Sequence, residues 1–271
     1  MKKIIIVTLL PVLFSCSVAK KNTVKYKPFA KNIVVAHRGA WKKMNLPQNS
    51  IASLQQAIAL QCTGSEFDVR MTIDDSLIIN HDPDYNKLLI EKTTYAELEK
   101  FKLTNGEKLP TLREYILAGL SNNTTTRLVC EIKPAATKER GQIVAEKVYR
   151  LINELNAQPM VVYISFDYNI LKKLLEINPS LSTQYLEADK SPGEVKVDGI
   201  EGIDYNFSAF QKHPEWITQA KKNNITLNAW TVNNAADMDW LIDNRFDFIT
   251  TNEPELLFER VQTHQPQKNG N

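Results

Sequence analysis

Cysteine is scarce in this sequence, which has three in 271 residues: Cys16, Cys62 and Cys130. No Cys-x-x-Cys spacing suggests a zinc site. Since Cys16 lies in the N-terminal segment, the remainder of the chain can form at most one disulfide. Cys130 lies inside an apolar strand pattern and Cys62 at a predicted helix end, so we expect two buried free thiols.

An excess of charge of one sign is also missing. The 33 basic and 31 acidic residues leave a net charge of +2, so no overall field favours nucleic acid or an anionic bilayer. The basic residues are scattered and lack the interleaved aromatics of a groove for single-stranded nucleic acid. We therefore expect no nucleic-acid partner, and an anionic substrate must be bound by local contacts.

The N-terminal apolar run, Ile4 to Phe14, is far shorter than the roughly 20 residues that cross a bilayer core. Two lysines precede it and Ser15-Cys16 follow, which is typical of a signal peptide over residues 1–16. Leu13 to Cys16 resembles a bacterial lipobox, whose cysteine is acylated and becomes the new N-terminus. Lipid on Cys16 would anchor an exported domain in the periplasm or cell envelope through a polar tether, residues 17–28. The alternative is a cleaved signal with an incidental cysteine.

Strand and helix patterns alternate along residues 29–263, before a polar tail over residues 264–271. Such alternation requires a mostly parallel sheet covered by helices, and about eight βα units favour a closed TIM (β/α)8 barrel over an open sheet. A polar stretch, about 82–109, interrupts the rhythm after the third strand, so we expect an insertion at the barrel rim. The predicted strands are Ile33–Ala36, Ser65–Thr72, Leu77–Asn80, Arg127–Ile132, Val161–Ser165, Leu181–Leu186, Gly202–Asn206, Thr226–Thr231 and Phe246–Thr250.

Carboxylates mark the second predicted strand. Strand period places Glu66, Asp68 and Arg70 on one face. Two buried carboxylates are costly unless a cation or basic groups neutralise them. Oxygen ligands suit a hard divalent cation, Mg²⁺ or Ca²⁺, and the alternative is an internal salt bridge with Arg70.

Histidines and further charged residues stand at the ends of other predicted strands. His37 and Arg38 follow the first strand, and His81 follows the third. Glu131 and Lys133 share one face of the next strand, where Glu131 would be a third oxygen ligand and Lys133 a point charge for a phosphate oxygen. A barrel brings these strand ends to one mouth. With no glycine-rich phosphate loop or Gly-x-Ser-x-Gly elbow to compete, the set suits phosphodiester cleavage, in which two histidines move protons.

Several motifs, in order, resemble the glycerophosphodiester phosphodiesterases. They are His37-Arg38-Gly39, Glu66-Phe67-Asp68, Asn80-His81-Asp82, Leu109-Pro110-Thr111-Leu112, Glu131-Ile132-Lys133-Pro134 and Trp230-Thr231-Val232-Asn233. The resemblance implies a TIM barrel that hydrolyses a glycerophosphodiester to an alcohol and glycerol 3-phosphate, through a cyclic phosphate formed by the glycerol 2-hydroxyl.

The same resemblance implies roles for particular residues. Glu66, Asp68 and Glu131 would hold one divalent cation. His37 and His81 would be the acid and base. Arg38 and Lys133 would contact phosphate. Independently of these implied roles, we expect Trp230 to contact the substrate.

Pro47-Gln48-Asn49-Ser50 departs from the family's usual Pro-Glu-Asn-Thr. Ser50 keeps the hydroxyl of the usual threonine, so the departure that matters is Gln48 in place of glutamate. The change removes a charge near the site, but the three proposed ligands remain, so we expect activity to be retained. Two alternatives stay open. The chain could be a related barrel phosphodiesterase acting on lysophospholipids or phosphoinositides, or a lipid-anchored binding protein without turnover.

Overall fold

The computed structural model describes residues 29–264. The predicted signal peptide with Cys16, the tether over residues 17–28 and the tail beyond His264 lie outside the described residues. None of the helices in residues 29–264 has the length and apolar character needed to span a bilayer.

Strands and helices alternate through the described part of the chain. The strands are β1 (Val34–Ala36), β2 (Gly64–Met71), β3 (Leu77–Ile79), β4 (Asp84–Tyr85), β5 (Leu88–Leu89), β6 (Arg127–Ile132), β7 (Val161–Ser165), β8 (Thr183–Tyr185), β9 (Gly202–Asn206), β10 (Thr226–Trp230) and β11 (Phe248–Thr251). The helices are α1 (Ile51–Ala59), α2 (Tyr95–Leu98), α3 (Leu112–Leu120), α4 (Lys138–Glu154), α5 (Tyr168–Ile177), α6 (Pro192–Val197), α7 (Phe207–Lys212), α8 (Glu215–Lys222), α9 (Ala235–Asp243) and α10 (Pro254–Thr263).

The parallel strands β1, β2 and β6 to β11 close into a barrel. Its ends meet at β1, where Val34 is in register with Ile249 of β11 and Val35 with Gly64 of β2. The predicted TIM barrel is confirmed. Cys62 and Cys130 are both buried and free, as expected.

The third strand of the chain is not a barrel strand, contrary to the parallel alternation read from the sequence. β3 pairs antiparallel with the end of β2, with Val69 opposite Ile79. The connection from Thr72 to Ser76 is too short for the dozen or more residues that a parallel crossover needs. Since β2 extends past the barrel mouth and β3 returns to it, His81 still lies at the mouth.

The stretch after β3 is a small substructure on the barrel rim. It contains the β4–β5 hairpin, a 3₁₀ turn over Ile90–Lys92 and α2. Its apolar residues form a separate small core with β3, made of Ile78, Ile90, Leu98 and Leu109. The insertion therefore packs beside the mouth without adding to the barrel wall.

Side chains alternate across the barrel wall, because successive residues of a strand point to opposite faces. On β9, Ile203 and Tyr205 pack outward into the core shared with the helices. The alternate residues of each strand face the barrel interior, where Val35, Val129 and Val162 form an apolar layer with Ile164 and Leu186. Polar side chains on these inward-facing positions are therefore the ones that can reach the mouth of the barrel.

Candidate active site

The predicted site residues meet at the carboxyl ends of the barrel strands. His37, Arg38, Glu66, His81, Glu131, Lys133 and Trp230 all line one cleft of about 90 Å³. Asp68 lies beside them, with a carboxylate oxygen less than 4.8 Å from those of Glu66 and Glu131.

A tight turn after β1 brings the backbone of Arg38 to the carboxylates. Arg38 and Gly39 have φ values of 56° and 80°, in the region that favours glycine. A Cβ on Gly39 would lie 2.6 Å from the backbone carbonyl carbon of Ser53 in α1, so only glycine fits there. The turn aims the Arg38 N–H at Glu66 Oε2, 2.8 Å away.

Glu66, Asp68 and Glu131 form a buried carboxylate cage. Asp68 Oδ2 accepts a hydrogen bond from Asn49 Nδ2 at 2.8 Å, and its backbone N–H donates to Asn49 Oδ1. Glu66 Oε1 is buried and receives no hydrogen bond from any described residue. Three buried carboxylates this close together, one with an oxygen that has no partner, could hold a hard divalent cation.

Lys133 reaches into this cage. Its Nζ lies 2.8 Å from Asp68 Oδ1 and 2.7 Å from Glu131 Oε1. Burial alone would lower the pKa of Lys133, but the two carboxylates raise it above its usual value. The structure thus places the ammonium group against the carboxylates, at the edge of the cleft where the sequence predicted a phosphate contact.

The three carboxyl groups compete for this positive charge. Burial, followed by the charges of Asp68 and Glu131, raises the pKa of Glu66 well above its usual range. Burial and the charge of Asp68 raise the pKa of Glu131 to about 7. Burial opposes ionisation of Asp68 too, but contacts with Lys133, Asn49 and Arg38 hold its pKa at about 2. Full ionisation of the cage therefore requires more positive charge than these side chains supply.

A residue near the C-terminal end of the barrel domain holds the imidazole ring of His37 in place. Its Nδ1 lies 2.8 Å from Asn252 Oδ1, and because that oxygen only accepts, a neutral ring carries its proton on Nδ1. Nε2, which lies 4.0 Å from Glu66 Oε2, is left as the basic atom. Burial and the charge of Arg38 lower the pKa of His37 to about 4.

His81 occupies a more open position. Its Nδ1 lies 2.8 Å from Asp82 Oδ1. Arg70 donates from Nε and Nη2 to the His81 carbonyl oxygen, at 2.9 and 2.7 Å, and makes no ion pair within the part of the chain that the structure describes. The alternative in which Arg70 neutralises Glu66 and Asp68 by direct pairing is therefore not what the structure shows.

Gln48 contacts the guanidinium group of Arg38, since its Oε1 accepts from Arg38 Nη1 at 2.8 Å. Arg38 Nε also lies 3.5 Å from Asp68 Oδ2. Glutamine keeps the hydrogen-bond acceptor that orients Arg38 and loses only the charge of the usual glutamate. Residue 48 is outside the carboxylate cage.

The opposite wall of the cleft is mostly apolar. Ile164, Phe166 and Leu186 line it, and Trp230 meets Phe166 edge to face, with ring centroids 5.4 Å apart. Three polar residues at the site were not predicted: Asn49, Asn252 and Asp204. Asp204 lines the cleft. Asn49 lies in a motif the sequence did show and Asp204 lies inside a predicted strand, whereas no local signal marks Asn252.

The chain is similar to known proteins along most of its length. The glycerophosphoryl diester phosphodiesterase family matches residues 37–256. A glycerophosphodiester phosphodiesterase of Caldanaerobacter subterraneus subsp. tengcongensis is 30% identical over 251 residues, which are 86% of this chain and 98% of the relative.

Solved structures show the same fold. A glycerophosphodiester phosphodiesterase from Parabacteroides distasonis superposes with a TM-score of 0.84 at 36% identity, covering 86% of this chain and 98% of the other. An Oleispira antarctica phosphodiesterase, solved in complex with its product sn-glycerol-3-phosphate, has a TM-score of 0.74 at 21% identity, covering 85% and 97%. The chain therefore belongs to the glycerophosphoryl diester phosphodiesterase family and is a phosphoric diester hydrolase.

Proposed function

We propose that the chain hydrolyses glycerophosphodiesters to an alcohol and sn-glycerol 3-phosphate with one divalent cation, Mg²⁺ or Ca²⁺. The observation that carries the proposal is the three-carboxylate cage with the orphaned oxygen of Glu66, in a cleft that also holds two histidines. Glu66, Asp68 and Glu131 would hold the cation. When bound, it would offset the negative charge that develops on the phosphoryl oxygens.

The two histidines are suited to opposite proton transfers. His37 Nε2 takes the proton of the glycerol 2-hydroxyl, whose oxygen bonds to phosphorus as the bond from phosphorus to the head-group oxygen breaks. His81 gives a proton to that departing oxygen. Water then opens the cyclic phosphate with the roles reversed, which yields glycerol 3-phosphate. The different partners support His37 as the first base. His37 contacts the neutral amide of Asn252, which leaves Nε2 unprotonated, whereas His81 contacts the carboxylate of Asp82, which favours the protonated ring.

Arg38 and Lys133 would hold the phosphate. Both cations pair with the carboxylate of Asp68 and line the cleft. A cation bound by Asp68 and Glu131 would compete with Lys133 for their oxygens, which frees the ammonium group to turn toward a phosphoryl oxygen. Trp230 would pack against the carbon chain of the substrate.

A substrate panel tests the function against its alternatives. We expect release of glycerol 3-phosphate from glycerophosphocholine and glycerophosphoethanolamine by the chain with Gln48 in place, and little turnover of a lysophospholipid or a phosphoinositide. Preferred cleavage of either lipid would favour the related phosphodiesterase instead. No turnover of any diester would favour a binding protein, and activity that appeared only in Gln48→Glu would contradict our view of that position.

We propose further that the enzyme is exported and lipid-anchored through Cys16. The support is the lipobox-like sequence from Leu13 to Cys16 after a short apolar run. Mass spectrometry of the membrane-extracted protein is expected to find Cys16 as an acylated N-terminal residue. An unmodified N-terminus would contradict the anchor and leave the catalytic proposal untouched.

A further inference from the structure

The cleft has two unlike halves. Charged residues from the ends of β1, β2 and β6 form one half, which contains the carboxylate cage, His37, Arg38 and Lys133. Phe166, Leu186 and Trp230 dominate the other half. Among the residues that line the cleft, one charged residue lies in this apolar half: Asp204, on β9.

Asp204 points into the barrel. Its chain neighbours Ile203 and Tyr205 pack outward beneath the helices, so strand alternation directs the Asp204 side chain inward. The residue is 1% exposed. Its backbone carbonyl accepts a hydrogen bond from Trp230 Nε1 at 2.8 Å, which fixes β9 against the indole of the cleft wall.

The carboxyl group of Asp204 has no protein partner within residues 29–264. Oδ1 is buried and receives no hydrogen bond, and no lysine, arginine or histidine of that range forms an ion pair with the group. A buried polar group left unpaired costs free energy on the order of 1–3 kcal/mol. Asp204 also lies outside the set of carboxylates that could share one cation.

A hydroxyl group is the complement of such a residue. Burial, with the nearby charge of Glu131, raises the pKa of Asp204 well above its usual range. A neutral carboxyl group both donates and accepts a hydrogen bond, and so does a hydroxyl. An anionic phosphate suits the opposite half of the cleft better, where the cations are.

We propose that Asp204 binds the terminal hydroxyl of the substrate's glycerol moiety and so selects free glycerophosphodiesters. The inference rests on the proposed function, because the phosphate must lie at the cage with the 2-hydroxyl beside His37. The remaining glycerol carbon then extends toward Trp230 and Phe166, where Asp204 offers the polar partner. A lysophospholipid acylated on the terminal oxygen has no hydroxyl to offer there, so the same contact excludes it.

The test compares glycerophosphocholine with 2-hydroxypropyl phosphocholine, which lacks only the terminal hydroxyl. For the unaltered chain we expect kcat/KM to fall by at least about 30-fold on the second compound, because a buried polar group is left unpaired. Asp204→Leu is expected to lose about as much on glycerophosphocholine and to leave the second compound unaffected. Asp204→Asn, which keeps a donor and an acceptor, is expected to retain most activity on glycerophosphocholine.

Other outcomes would overturn the inference. Equal turnover of both compounds by the unaltered chain would show that the terminal hydroxyl is not recognised. Equal losses on both compounds in Asp204→Leu would assign Asp204 a structural role, and a loss in Asp204→Asn as large as in Asp204→Leu would exclude the neutral hydrogen-bond pair. Failure of the unaltered chain to cleave either compound would instead contradict the proposed function.

Discussion

His37→Ala is expected to lower kcat for glycerophosphocholine by about 10³-fold, since general base catalysis typically contributes factors of 10² to 10⁴. The variant removes the Nε2 atom that Asn252 keeps unprotonated. His81→Ala removes the group that protonates the departing alcohol and is expected to cause a similar loss. Steady-state release of glycerol 3-phosphate measures both.

A second substrate separates the two histidines. Glycerol 3-(4-nitrophenyl phosphate) releases a nitrophenolate, which departs without a proton. His81→Ala is therefore expected to recover much of its activity on this compound, whereas His37→Ala is not, because the attacking hydroxyl still needs a base.

His213→Ala is the matched control for the histidine variants. His213 stacks on Trp216, with ring centroids 4.3 Å apart, and is not among the residues that line the cleft. We expect its activity to stay near that of the unaltered chain. If His37→Ala kept more than a tenth of the activity, or if both variants responded alike to the nitrophenyl substrate, the assignment of base and acid would be wrong.

Removal of divalent cations is the second change with a large expected effect. Dialysis against EDTA should abolish activity, and Mg²⁺ or Ca²⁺ should restore it, which also identifies the preferred cation. Cation at 100 times its dissociation constant stabilises a fold by about 2.7 kcal/mol. For a domain of this size, Tm should then rise by about 5 to 10 °C.

Glu66→Gln links this effect to the cage. The glutamine carbonyl can still accept the Arg38 N–H, so the turn after β1 keeps its contact, but the orphaned oxygen loses its negative charge. We expect kcat/KM to fall by at least about 100-fold, since even residues behind metal ligands are worth 10- to 100-fold. The cation-dependent rise in Tm should largely disappear.

Glu154→Gln makes the same chemical change on the surface, where Glu154 pairs with Arg113. Its activity and its thermal response to cation should match those of the unaltered chain. Full activity in EDTA with no bound cation would show that Lys133 alone neutralises the cage, and would remove the cation from the proposed mechanism.

Local sequence was enough for the barrel and for the cage. A periodicity of two on β2 already places Glu66 and Asp68 on one face. Because a parallel strand is buried on both sides, two carboxylates there are costly unless they surround a positive charge. Alternating strand and helix patterns predicted the closed sheet, because few other topologies bury such strands. The ends of β1, β2 and β6 then had to meet at one mouth.

Other features depend on contacts that no local pattern encodes. The direction of β3 was decided by a short connection and by pairing with the projecting end of β2. The partner of His37 is Asn252, which lies 215 residues away in sequence. The position of Lys133 against Asp68 and Glu131 follows from two adjacent strands in register, with Asp68 opposite Glu131.

The sequence by itself therefore determined which side chains could perform phosphodiester chemistry and that one end of a barrel would collect them. Only the tertiary structure decided how each is used. Strand period shows that Asp204 and its neighbours point to opposite faces, but closure of the barrel decides which face is the cleft. Proton position, ion pairing and an unpaired carboxyl group are properties of neighbours in space, and these neighbours are far apart along the chain.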